Sequence, residues 1–254
     1  MQKPNRVFLT CLLAIAFAGT ASAAAPSLEE VRKLLPKGTD VAGVAIAKLR
    51  AQGAKPGASP VDEAAIAAPF YSSADLNHDG IDDLAVIVEK APKLVRDDIY
   101  SHEELCAIYD IVNCSIIGGA RMLAIYLGRA DGPLVISEVS TDSLVLSAND
   151  GGTKGDPLRP LLVKKDGEIV ISTWGGSSDV WAYTDTIQFR KDGFYMIGKS
   201  ELGYSSFDPE NSRDSTETNL LTGKQIVTKG KRKTVKKVGV KPLVRLKDYV
   251  NTDL

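Results

Sequence analysis

Four oxygen-bearing side chains recur at positions 1, 3, 5 and 9 of one short stretch: Asp75, Asn77, Asp79 and Asp83, within Ala74-Asp75-Leu76-Asn77-His78-Asp79-Gly80-Ile81-Asp82-Asp83-Leu84. Gly80 at position 6 permits a sharp turn, and Ile81 at position 7 can offer its backbone carbonyl. Calcium takes six to eight hard oxygen ligands at about 2.3–2.6 Å, an arrangement that a tightly coiled acidic loop supplies. The spacing predicts one structural Ca2+ held by Asp75, Asn77, Asp79, Asp83 and the Ile81 carbonyl. Three carboxylates and one amide make this a weak site of the extracellular type. An acidic β-turn without metal and a catalytic metal are the competing readings of the same residues.

Other chemistry-bearing patterns are weaker. Gly193-Phe194-Tyr195-Met196-Ile197-Gly198-Lys199-Ser200 fits the G-x-x-x-x-G-K-[ST] spacing of a phosphate-binding loop. That motif needs a loop that opens a helix. Here the middle residues are strand-like and Glu-Leu-Gly-Tyr follows, so the match is read as chance. Only His78 and His102 are present, with no G-x-S-x-G elbow and no H-E-x-x-H, so nucleophilic hydrolase chemistry finds no support. A glycosidase needs only two carboxylates, and 32 acidic residues leave that route open. Trp174 and Trp181 flank Gly175-Gly176-Ser177-Ser178-Asp179, a small-residue loop whose aromatic edges either stack a sugar ring or belong to the core.

Position 12 counted from Asp75 is Val86 where an EF-hand would carry a bidentate Glu, so the loop is not an EF-hand. With Ala74 before it and Asp83-Leu84-Ala85-Val86 after it, the loop resembles those of FG-GAP and VCBS-type repeats. Phe194-Tyr195-Met196-Ile197-Gly198 and Asn219-Leu220-Leu221-Thr222-Gly223-Lys224 are similar to pieces of uncharacterised secreted bacterial proteins that carry one such loop. In the repeats, a D-x-N-x-D-G-x-x-D turn joins two strands of a β-propeller blade. The resemblance implies a β fold more than an activity. This chain shows one loop where a full propeller would show several.

The elements that must position these residues begin after an export signal. Lys3 and Arg6 precede an apolar stretch from Val7 to Gly19, and Ala21-Ser22-Ala23 supplies small residues for cleavage, so residues 1–23 read as a signal peptide. So short a run does not span a bilayer, which takes about 20 residues, and no transmembrane span is expected in the mature chain. Cys11 leaves with the signal, and Cys106 and Cys114 remain as a pair suited to an oxidising compartment. A disulfide needs Cα atoms about 4.4–6.8 Å apart. Eight residues of helix span about 12 Å, and of strand about 26 Å. A Cys106–Cys114 bridge therefore requires the chain to bend back between them.

With 31 basic against 32 acidic residues the balance is nearly neutral, which argues against a nucleic-acid partner. Charged residues at 25% and hydrophobics at 44% exclude a disordered chain, a membrane bundle and a collagen. Ser27 and Glu30 have capping-box spacing and predict a helix over 28–35, ended by Pro36. Residues 24–60 read as this helix and a Gly/Pro/Ala/Ser linker, and 61–254 as one β-rich domain containing the loop at 75–83. Its strands are 84–89, 121–128 with 134–140, 161–165 with 168–173, and 181–190 with 194–200. Asp166-Gly167, Lys191-Asp192-Gly193 and Arg129-Ala130-Asp131-Gly132-Pro133 are their turns. A helical insertion is expected over 97–113, leading into the cysteine pair. From Thr218 to Lys247 ten residues are basic and none is acidic. This stretch reads either as the solvated face of one last hairpin or as a patch for an anionic polymer.

The expectation is an all-β chain of antiparallel hairpins, either a meander or a partial, degenerate propeller, with a short N-terminal helix and one helical insertion. It would be exported to the periplasm or beyond, non-catalytic and stabilised by calcium, and would bind an envelope glycan or anionic polymer. The rival is a secreted hydrolase acting on carbohydrate or cell-wall material through a carboxylate pair.

Overall fold

The computed structural model describes residues 25–52, 60–94 and 116–250. His102, the expected helical insertion and both Cys106 and Cys114 lie outside the described residues, as does the signal segment.

The fold is mainly antiparallel β with short helices, arranged in three layers. Helix α1 (Leu28–Leu34) opens on the expected capping box. The Ser27 hydroxyl accepts from the Glu30 N–H at 3.3 Å, and the Glu30 carboxylate accepts from the Ser27 N–H at 2.7 Å. Leu28 and Val31 then face inward. Helix α2 (Val44–Gln52) lies within 24–60, where only the first helix and a linker are expected, and α3 (Glu63–Ala67) opens the stretch expected to be β-rich. Arg32 ties this layer together, donating to Asp40 at 3.0 and 3.1 Å and pairing with Glu63.

The middle layer is a five-stranded sheet of β1 (Thr39–Val41), β2 (Tyr71–Ala74), β3 (Asp83–Lys90), β6 (Arg121–Arg129) and β7 (Gly132–Val139). Strands β1 and β2 lie end to end along one edge of β3, while β6 takes the other edge and pairs in turn with β7. Leu84, Val86 and Val88 pack toward the helices, and Ala85 and Ile87 toward the second sheet. Burial on both faces explains why Leu84–Glu89 reads as an almost unbroken apolar run. A two-stranded ribbon, β4 (Lys93–Leu94) and β5 (Ile116–Ile117), extends from this layer.

The outer layer is a seven-stranded meander in strict sequence order: β8 (Leu162–Val163), β9 (Ile169–Gly176), β10 (Asp179–Arg190), β11 (Gly193–Ser205), β12 (Asp214–Asn219), β13 (Lys224–Lys229) and β14 (Arg232–Lys237). Among the described residues the strands form these packed sheets and no ring of propeller blades. Ile169, Ile171, Ile187, Phe194 and Met196 meet Ile87, Leu123 and Ile125 in the main core. Each such buried side chain contributes about 1.5–3 kcal/mol. The last three strands leave the core: every residue of β14 is exposed, and the sheet continues outward as a wing.

Ion pairs fasten the layers. Arg121, fully buried, donates to both oxygens of Asp156 at 2.6 and 2.7 Å and lies 3.5 Å from Glu89. Arg245 donates to Glu138 at 2.8 Å, locking the C-terminal segment to β7. No helix among the described residues is long and apolar enough to cross a membrane.

Candidate functional site

The acidic loop lies between β2 and β3, and its anchor is apolar. Leu76, fully buried, joins the main core and holds the loop down from its second position. The side chains of Asp75, Asn77 and Asp79 fold over the loop's own backbone. Asp75 accepts from the N–H groups of Asp79 at 3.1 Å and Gly80 at 2.9 Å. Asn77 accepts from the Asp79 N–H at 3.0 Å, and Asp79 from the Ile81 N–H at 2.9 Å. The Asn77 amide also donates to Asp79 at 2.9 Å. Such bonds from Asx side chains to nearby N–H groups fix a tight turn. His78 at φ 65° and Gly80 at φ 85° supply its left-handed corners, conformations that glycine adopts freely and histidine more readily than most residues. His78 is exposed.

Asp83 is placed differently. It is fully buried, and its two oxygens accept from the Leu76 N–H at 2.9 Å and the Gly128 N–H at 2.8 Å. Burial pushes its carboxyl above the usual carboxylate range, against the lowering effect of those two bonds. Asp83 thus closes the loop from the strand side and clips it to β6. Among the described residues no three His, Cys, Asp or Glu side chains are gathered so as to hold a metal. In kind, however, the donors suit a hard cation. Asp75, Asn77 and Asp79 bring carboxylate and amide oxygens onto one turn, and an oxygen that accepts one N–H bond retains acceptor capacity.

Two glycines that the sequence does not single out as loop partners seat this turn. A Cβ on Gly128 would lie 2.5 Å from the Asp82 carbonyl oxygen, and one on Gly167 2.9 Å from that of Leu76. The loop is therefore packed between the end of β6 and the β8–β9 turn, at distances only glycine tolerates.

A second constellation lies on β10. Trp181 and Tyr183 are two residues apart in a strand and so share one face; their ring centroids are 5.4 Å apart with planes tilted by 35°. They stand on the common wall of two clefts. One, of about 300 Å³, is edged by Glu201, Asp214, Thr216 and Lys229. The other, of about 590 Å³, is edged by Asp142, Ser143, Ser147 and Asp150. Hydroxyls and carboxylates thus line both sides of an aromatic ridge.

Trp174 is not part of it. The β9–β10 register pairs Trp174 with Ala182, so Trp174 and Trp181 emerge on opposite faces of the sheet. The Trp174 ring is covered by Arg159, whose guanidinium lies 4.2 Å from the centroid, with the Lys154 ammonium at 5.9 Å.

The phosphate-loop match is strand throughout. Residues 193–200 belong to β11, where Lys199 pairs with Asp185 and Ser200 with Thr184. Adjacent strand positions point to opposite faces, so Lys199 and Ser200 do not converge on one phosphate.

No family model, no curated protein and no solved structure matches the chain.

Proposed function

We propose that this is an exported, non-catalytic binding module, stabilised by one calcium ion, that holds an envelope glycan across Trp181 and Tyr183. The observation that carries the reading is the aromatic pair on the shared wall of two clefts rimmed by Asp142, Asp150, Glu201 and Asp214. Sugar rings offer flat C–H faces to aromatic rings, and their hydroxyls donate to carboxylates. The acidic rim favours a neutral or amine-bearing glycan over an anionic one. The calcium ion would be held by Asp75, Asn77, Asp79 and the Ile81 carbonyl, with Asp83 completing the set from the strand side. Its part is structural: the loop fixes β2 against β3 beneath the core. The signal-like residues 1–23 support delivery to the periplasm or beyond.

β14 favours a second reading. Four of its six exposed residues, Arg232, Lys233, Lys236 and Lys237, are basic, which suits an anionic polymer laid along the wing.

Purified mature protein screened against neutral, amino-sugar and anionic envelope glycans, with products analysed in the same samples, separates these readings. Retention of a neutral or amino-sugar glycan without turnover is expected. Retention of anionic glycans alone favours the wing, and released fragments would establish the hydrolase instead.

A further inference from the structure

The wing breaks a rule of strand pairing. In the β13–β14 register Lys224 faces Lys237 and Lys229 faces Arg232, so like charges lie directly opposite at both ends of the hairpin. Such pairs destabilise a ladder. Between them Gln225 faces Lys236 and Thr228 faces Lys233, so neither strand carries an acidic residue to relieve the repulsion. From the far side of β13, Asp214 faces Lys229 and Glu217 faces Ile226. Among the described residues none of the cations of β13 and β14 is held in an ion pair. β14 is also the last strand of its sheet, with no strand beyond it, and every one of its residues is exposed. Gly230, at φ 54°, opens the two-residue turn that Lys229 and Arg232 close, and the closing pair of such a turn bond each other. Alternation along the ladder then turns the N–H and C=O groups of Lys233, Val235 and Lys237 outward, away from β13. Such an open edge is a template for another strand. Val235 stands at its middle, 60% exposed, with Lys233 and Lys237 on the same face at either side.

We propose that the free edge of β14 receives an extended acidic segment of a partner polypeptide, which adds to the wing as a further strand. Main-chain bonds to Lys233, Val235 and Lys237 seat that strand, and its acidic side chains meet the cations on both faces. Charge complementarity selects this partner. Basic residues on an edge strand alone serve to keep other edges away, but Lys224 and Lys229 lie on the strand behind the edge, where such a guard does not need them. The same charges bar a second copy of β14, which would set lysine against lysine. An acidic strand instead relieves the repulsion at both ends of the hairpin, and an apolar residue between its acids covers Val235. The clefts beside Trp181 and Tyr183 contain no residue of β14, so either site can fail without the other.

A blocked peptide of alternating glutamate and valine, titrated into the mature protein, tests the assignment. One peptide per chain should bind saturably, and residue-resolved hydrogen exchange should show the amides of Lys233, Val235 and Lys237 slowed at least tenfold at saturation. The matching lysine–valine peptide should not bind. Val235→Pro removes one outward donor without changing charge, and should weaken the glutamate peptide at least tenfold while the melting temperature holds. If that variant melts early, the double variant Lys233→Glu, Lys237→Glu takes its place: it should lose the glutamate peptide at least tenfold and admit the lysine–valine one. No saturable binding of the glutamate peptide, or equal binding of the lysine–valine peptide to the wild type, would overturn the proposal. So would binding that leaves the three amides unprotected, which would give the wing to a polyanion held by charge alone.

Discussion

At the scale of single residues, the acidic loop does two jobs with one set of carboxylates. Asp75, Asn77 and Asp79 fold the turn, while Asp83 ties it to Leu76 and Gly128. If the loop takes calcium, a ligand at 100 times its dissociation constant adds about 2.7 kcal/mol to stability. For a chain of this size that is several degrees of melting temperature. Chelation should therefore lower the melting point, and Asp79→Ala should abolish the difference between chelated and calcium-loaded samples. Indifference of the wild-type curve to both would remove calcium from the picture. Glu89 offers a separate test by pH. Burial is the largest influence on its carboxyl and raises it above the ordinary 4.5, outweighing Arg121. A carboxyl raised in the folded state contributes stability in full below its ordinary value, and that contribution fades as pH climbs through the folded one. Glu89→Gln carries no such loss, so its melting temperature relative to wild type should improve from about pH 4.5 towards 7. Differential scanning fluorimetry across that range reads it, and a constant offset would show that Glu89 titrates normally.

At the scale of elements, legibility in the sequence followed burial. Leu84–Glu89 read as a strand because β3 is covered on both faces, and the hairpins at Asp166-Gly167 and Lys191-Asp192-Gly193 read from turn chemistry that needs left-handed backbone, found at Gly167 and Lys191. The capping box fixed the start of α1 to the residue. Helices α2 and α3 escaped notice because they border a linker rich in alanine and small residues. Strands β13 and β14 form the one hairpin that 218–247 offers, whereas β12 is not legible because polar residues occupy both faces of a wing with little core to cover. The loop donors were visible from spacing, but Gly128 and Gly167 were not, since their partners Asp82 and Leu76 lie 46 and 91 residues away in the chain. The two tryptophans looked like one feature; only register shows that they face apart. The disulfide expected at Cys106–Cys114 belongs to the segment that leaves at β4 and returns at β5. Mass spectrometry of unreduced, alkylated protein should find no free thiol on either cysteine. Reduction should cost about 2–3 kcal/mol, the chain-entropy value for so short a loop. Hydrogen exchange should then rise near 97–120 and leave β9 to β11 protected; loss of protection throughout those strands would place the bridge at the heart of the fold.

At the scale of the whole molecule, three layers divide the labour. The helices and the middle sheet supply a doubly covered core, the loop fixes its edge, and the meander carries strands past the core into solvent, where side chains are free to meet a ligand. The claim that function resides on the β10 face is tested most directly by comparing the two tryptophans, which differ in face but not in kind. The affinity of the retained glycan should be measured by isothermal titration for wild type, Trp181→Ala and Trp174→Ala. Loss of stacking on Trp181 should weaken binding about tenfold or more, corresponding to roughly 1.4 kcal/mol, while Trp174→Ala should bind as wild type. Equal affinity in all three proteins, or a loss confined to Trp174→Ala, would contradict the assignment.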